Sequence, residues 1–142
     1  MAKSYAEFMG VEVVEEIEKA MNQALVNFLF GTQAELSKAA PVDTGRLASS
    51  FVLGKDVPNR EVEPEREEPG EVTLTRQYNK SEVTMDSDWY ISNNLPYARR
   101  VAYDPKYGKG GRVNGAAWYT SIENNLQKKA NAAFTRQLRT LK

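Results

Sequence analysis

The 142-residue chain contains no cysteine and no histidine. Without cysteine there is no disulfide framework and no thiolate metal site, and without histidine the commonest metal ligand and the commonest general base are gone. Ser-His and Cys-His nucleophilic pairs and most zinc chemistry are thereby excluded. Long apolar runs are missing as well: Ala24-Leu25-Val26, broken by Asn27 before Phe28-Leu29-Phe30, falls far short of a bilayer span, and no signal-peptide core follows Met1. The expectation is a soluble protein made in the cytosol with no membrane partner. Net charge is also lacking, with 19 acids against 19 bases, which argues against tight binding of free nucleic acid by the chain as a whole.

The charges that are present are segregated. Residues 1–36 hold six acids and two bases, whereas every charge after Glu123 is basic: Lys128, Lys129, Arg136, Arg139 and Lys142. Two explanations stay open, namely terminal helices that lie together and compensate, or copies of the chain that attract one another head to tail. The length suits a single domain over 1–142, able to bury roughly two thirds of the surface that its unfolded form exposes.

From Val11 to Ala39 the residues Val14, Ile17, Met21, Leu25, Phe28, Thr32, Leu36 and Ala39 step by three or four, which is one face of a helix. Glu12, Glu15, Glu16 and Glu18 crowd its first turns, where the helix dipole favours negative charge. Gly31 marks a bend or a close packing contact. A helix this long in so short a chain predicts that part of its surface meets a second chain or wraps a sheet. Pro41 ends it, because proline pushes Ala40 out of the helical region and cannot extend the helix from its own position. At the other end Trp118, Ile122, Leu126, Ala130, Ala133, Phe134, Leu138 and Leu141 recur with the same period, predicting a C-terminal amphipathic helix from about Ala116.

Between the helices the period shortens to two. Leu47, Phe51 and Leu53 alternate with Ala48, Ser50 and Val52, a strand with room for one helical turn before it, ending at Gly54. Residues 55–71 are acidic and broken by Pro58, Pro64 and Pro69, and they have nothing to build a core with; they read as a flexible loop, or as an arm that orders on a basic neighbour. Val72, Leu74 and Tyr78 share one face of a strand, Asn79-Lys80-Ser81 turns the chain, and a second strand carries Val83, Met85, Trp89 and Ile91 inward with Thr84, Asp86, Asp88 and Tyr90 outward. Asp86 and Asp88 sit side by side on the wet face of that hairpin, but two carboxylates without further oxygen ligands make a poor cation site. Neither a metal nor another cofactor is expected. Pro96 then starts one or two helical turns over Tyr97 to Tyr103. Arg99 and Arg100, with Lys106, Lys109 and Arg112 of the glycine-rich loop 104–115, put five bases against one acid with tyrosines interleaved. This is the candidate contact with a partner protein, or with DNA backbone in transit. Its glycines match neither phosphate-binding spacing. The whole predicts an α+β fold, with a long N-terminal helix and a C-terminal helix packed on a small, mainly antiparallel sheet.

Asp43-Thr44-Gly45 is also the tripeptide of aspartic proteases, in which two chains each donate one carboxylate to a shared proton. Its context opposes that chemistry. A helix ending at Pro41 precedes it where a hydrophobic strand is needed, Arg46 follows where a small residue is needed, and Val52-Leu53-Gly54 comes too soon to be the supporting turn. Asp43 and Gly45 suit a tight turn instead, since Asp bonds its own backbone two residues on and Gly takes a positive φ. No catalytic residue is assigned.

Ala40-Pro41-Val42-Asp43-Thr44-Gly45-Arg46-Leu47-Ala48-Ser49-Ser50 after a helix, then Ile91-Ser92-Asn93-Asn94-Leu95-Pro96-Tyr97-Ala98, a glycine-rich loop and a last helix, resemble the neck and minor-tail component family of tailed phages, also called tail completion or head-tail connector proteins. The likeness covers nearly the whole chain. Arg99-Arg100-Val101, where the family continues with a short acidic or glycine step, and the acidic segment at 55–71 are departures from it. The resemblance implies a non-enzymatic virion protein, made in the host bacterial cytoplasm, that forms a ring of six or twelve copies at the head-tail junction and meets connector, tail-terminator or tail-tube proteins, with transient contact to DNA in the channel. Pro41, Asp43, Thr44, Gly45, Arg46, Leu47, Asn93, Pro96 and Tyr97 would be its turn and interface residues.

Overall fold

The computed structural model describes residues 5–41, 46–62, 78–103 and 117–141, with side chains from Val13 in the first segment and from Trp118 in the last. Helix α1, Tyr5–Ala39, stops one residue before the Pro41 breaker, with Ala40 N–H closing the last bond onto Leu36. One turn, α2 (Arg46–Ser49), leads into strand β1 (Phe51–Lys55). Strand β2 (Trp89–Asn93) runs antiparallel to β1, with Phe51 opposite Asn93, Leu53 opposite Ile91 and Lys55 opposite Trp89. Helix α3 (Ala98–Tyr103) follows Pro96, and α4 (Ala117–Leu138) carries the C-terminal period. The architecture is α+β, two long helices and a small antiparallel sheet, as composition and period indicate.

Helices α1 and α4 are antiparallel. Lys129 pairs with Glu35, and the crevice lower down joins Asn27 and Gly31 of α1 to Ala132 and Arg136 of α4. Leu36 and Ala40 meet Trp118 and Ile122 at the opposite end, in a cluster with Leu47, Phe51, Leu95 and Val101. A second cluster joins Val26 and Leu29 of α1 to Leu53 and Val83. The antiparallel arrangement points the acidic start of α1 and the basic end of α4 the same way, but Arg136 of α4 stands beside Asn27 and Gly31, so Glu15, Glu16 and Glu18 lie along α1 beyond it; the charge pair described between the two helices is Glu35 with Lys129.

Three expectations are corrected. The buried face of α1 is not the Val14 to Ala39 stripe along its whole length: Val14 is 55% exposed, while Ala20, Ala24, Val26, Leu29 and Gln33 are buried. Among the described side chains the helix is covered from Ala20 onward, by α4 on one side and by the sheet on another, so the buried positions shift round it. The strand expected over Val83 to Ile91 begins only at Trp89. Before it the chain makes a 3-10 turn, Lys80–Glu82, and Met85 is exposed because its N–H is held by Asn22 of α1 and Trp89 Nε1 bonds back to Thr84 O at 2.9 Å. The expected partner strand at 72–77 lies outside the described residues. Finally, Gly31 marks no close packing: nothing stands within 4 Å of a Cβ built there, and α1 runs through it.

The start of the acidic segment is also more ordered in its bonding than composition suggests. Asp56 takes a positive φ of 64°, its N–H donates to Asp88 O at 2.7 Å, and its carboxylate accepts the Asp88 N–H. Asn59 Nδ2 reaches Leu53 O at 3.0 Å, and the Asn94 amide donates to Asn59 O and Glu61 O. Residues 56–62 are thus folded against the strand ends by side-chain to backbone bonds, which a polar, proline-broken segment can supply without burying a core. Residues 63–71 lie outside the described residues.

Candidate functional site: a junction of two motifs and an apolar groove

The two segments that carry the family resemblance meet. Asn93 Nδ2 donates to Leu47 O at 2.9 Å, and its Oδ1 accepts from Leu95 N–H at 3.4 Å, so one amide ties the end of β2 to α2 and then caps the turn into Pro96. Leu47 and Leu95 are buried in the same cluster. From the α1 side, Gln33 Nε2 donates to Phe51 O at 2.8 Å and Ser37 Oγ to Ala48 O at 2.6 Å. Gln33 and Ser37 are four apart, one above the other on the helix, and both are buried. Sequence periodicity passes over them because they are polar; the signal is that they share a face with Leu29, Leu36 and Ala40.

Of the proposed turn and interface residues, Pro41, Arg46, Leu47, Asn93, Pro96 and Tyr97 are placed and Asp43, Thr44 and Gly45 lie outside the described residues. Pro41 and Arg46 are half-buried, and Pro96 and Tyr97 exposed. Arg46 opens α2 and its carbonyl accepts the Ser50 hydroxyl. Of the candidate basic contact, Arg99 and Arg100 are exposed on α3, where with Pro96 and Tyr103 they line a shallow depression; Lys106, Lys109 and Arg112 lie outside the described residues.

Next to this junction an open apolar groove of about 600 Å³ runs between α1, the sheet, α3 and α4. Phe28, Phe51, Ile91, Ile122 and Leu126 form its walls, with Arg99 and Tyr103 at the α3 side. Trp118 Nε1 donates to Val101 O at 3.1 Å and so fixes α3 on α4. Tyr103 OH donates to Glu123 Oε2 at 3.0 Å and stands edge-on to Tyr119, with ring centres 5.3 Å apart. Tyr119 is pushed well above the ordinary tyrosine range, first by burial, then by its hydrogen bond to Glu123 and that carboxylate's charge, and last by Tyr103.

Chemically the groove is apolar, with one arginine, one carboxylate and two tyrosine hydroxyls toward α3 and α4. No group of three or more acidic, histidine or cysteine residues fit to hold a metal occurs among the described residues, and no helix there is long and apolar enough to cross a membrane. Asp86 and Asp88 are exposed, but they are not paired on a strand, since β2 begins after them. The long α1 is foreign to the all-β frame that an Asp-Thr-Gly protease needs. The fold and the junction define the chain as an α+β protein with two helices on a short antiparallel sheet. Comparison with protein-family models, curated proteins and solved structures finds no match for it.

Proposed function

We propose that the chain is a structural protein of a tailed-phage virion, a neck or tail-completion subunit that forms a ring of six or twelve copies at the head-tail junction or tail end. The observation that carries this reading is the bond from Asn93 to Leu47 O, by which the two segments that resemble the family's motifs interlock between the helices. Separated by 46 residues, they have no local reason to share a pattern. The role is non-enzymatic: the subunit is made in the bacterial cytoplasm and carried in the virion, where it contacts itself and the connector, tail-terminator or tail-tube proteins beside it. Electron microscopy of virions carrying a labelled copy tests this. Label at the neck or tail end with six- or twelvefold symmetry is expected, and a chain absent from purified virions sinks the reading.

A second reading, a small DNA-contacting module, is favoured by the adjacent exposure of Arg99 and Arg100 on α3. Replacing Arg99, Arg100, Lys106, Lys109 and Arg112 by glutamine separates the two. Duplex affinity that is measurable at low salt and lost in the variant supports DNA contact; no affinity before or after, with reduced incorporation into tails, assigns these residues to a protein contact.

A further inference from the structure

Residues 13–19 of α1 are largely uncovered. From Val13 to Lys19 every residue is exposed except the half-buried Ile17, and burial begins only at Ala20. Val13 and Val14 are 49% and 55% exposed, and with Ile17 they make an apolar stripe edged by Glu16 and Glu18. A solvated stretch of helix does not need two bare valines beside glutamates; one that seats in an apolar cleft with cations at its rim does. The groove beside Arg99 is such a cleft, apolar inside, with Arg99 and Arg100 exposed at its α3 side. One carboxylate, Glu123, also lines the groove, where it accepts the Tyr103 hydroxyl, so the cationic rim is the α3 side.

The two surfaces are separated along one rigid helix of the same subunit. Along α1 the groove's lining runs from Leu36 back only to Phe28, and the stripe ends at Ile17, eleven residues earlier, about 16 Å at 1.5 Å per residue, while Arg99 on α3 lies beside the Leu36 end. The stripe therefore cannot reach its own groove without breaking α1, but a second copy's can. A symmetric pairing of two stripes would set Glu16 and Glu18 against themselves, which opposes it. We infer that the Val13 to Glu18 stretch of α1 docks into the apolar groove of a second copy of this chain, with Glu16 and Glu18 facing Arg99 and Arg100. Because the two complementary patches are different and distant, the contact is head to tail, and repeated it closes a ring or grows a filament. It deepens the proposed ring and rests on that reading for its biological setting. Two helical turns cover less than a stable stand-alone interface, so the free chain associates weakly.

The test uses the full chain at low salt in sedimentation velocity, up to about 0.5 mM, which spans the range for weak contacts. The wild type should form species larger than a dimer as concentration rises. Glu16→Lys with Glu18→Lys in one chain, and Arg99→Glu with Arg100→Glu in another, should each weaken association by about tenfold or more while circular dichroism stays unchanged, since all four positions are exposed. An equimolar mixture of the two variants should reassemble, because alternating copies restore opposite charge at every contact. Val14→Asp with Ile17→Asp should stay monomeric in either background. A wild type that remains a monomer, or a closed dimer at all concentrations, overturns the contact, as does a mixture that fails to reassemble. Loss of assembly through Arg136→Glu and Arg139→Glu with Arg99→Glu and Arg100→Glu silent also overturns it, since the stripe would then sit on α4. Reassembly in solution by a chain absent from virions would leave this contact standing and remove the virion reading instead.

Discussion

Two glycines show how differently one residue type is used. At Gly54 a Cβ would collide with Val57 O and stand 2.6 Å from Asn59 N, both backbone atoms that cannot swing away. Gly54→Ala must lift the 57–59 segment and break the Asn59 bond to Leu53 O, so a loss of roughly 2 kcal/mol or more in urea unfolding is expected. At Gly31 there is open space and ordinary helix, and Gly31→Ala should gain about 0.5 to 1 kcal/mol, seen as a Tm a few degrees higher. Tyr119 supplies a pH signature. Its folded pKa lies above the unfolded value of about 10, so its contribution is fully present below pH 10 and is lost as the pH rises through 10 toward the folded value. Thermal unfolding from pH 8 to 11 should fall more steeply for the wild type than for Tyr119→Phe; parallel curves would show that burial beside Glu123 does not hold the phenol neutral.

Among the elements, the α1 to α4 pairing is the main frame, and its one described ion pair contributes little. Glu35 and Lys129 are 40% and 37% exposed, so a double-mutant cycle should return about 0.5 kcal/mol, vanishing near 1 M salt; a coupling above about 2 kcal/mol would mean the pair is shielded from solvent. What holds the helices is the apolar contact of Leu36 and Ala40 with Trp118 and Ile122. Both helices, the stop before Pro41, the turn into β1 and α3 after Pro96 were readable in the sequence, because period and proline chemistry are local. The start of β2 was not, since alternation from Val83 to Ile91 is equally compatible with a chain held off the sheet by Asn22 and Thr84. The site was half legible: the motif letters picked out Leu47 and Asn93, but Gln33 and Ser37, which lock α1 to the same junction, are polar residues on a buried face and leave no hydrophobic trace.

For the molecule as a whole, the antiparallel helices decide where charge acts. They point the acidic start of α1 and the basic end of α4 the same way, yet α4 reaches only as far as Asn27 with Arg136, so the glutamates at 15–18 project past it. The polarity that remains runs from the glutamates of the α1 end to the two arginines on α3. If that polarity closes a ring, reconstituted rings should fall apart on raising salt to about 1 M, and rings unchanged there would assign closure to apolar contact alone. The same frame makes the protein its own reporter. The sequence has two tryptophans, and each donates to a carbonyl of a different segment: Trp118, buried, to Val101 on α3, and Trp89, half-buried against Tyr78, to Thr84 beside α1. Trp118 is thus an optical gauge of the helix junction and Trp89 of the strand end, and keeping one at a time by replacing the other with phenylalanine lets fluorescence say which part of the molecule a partner has touched.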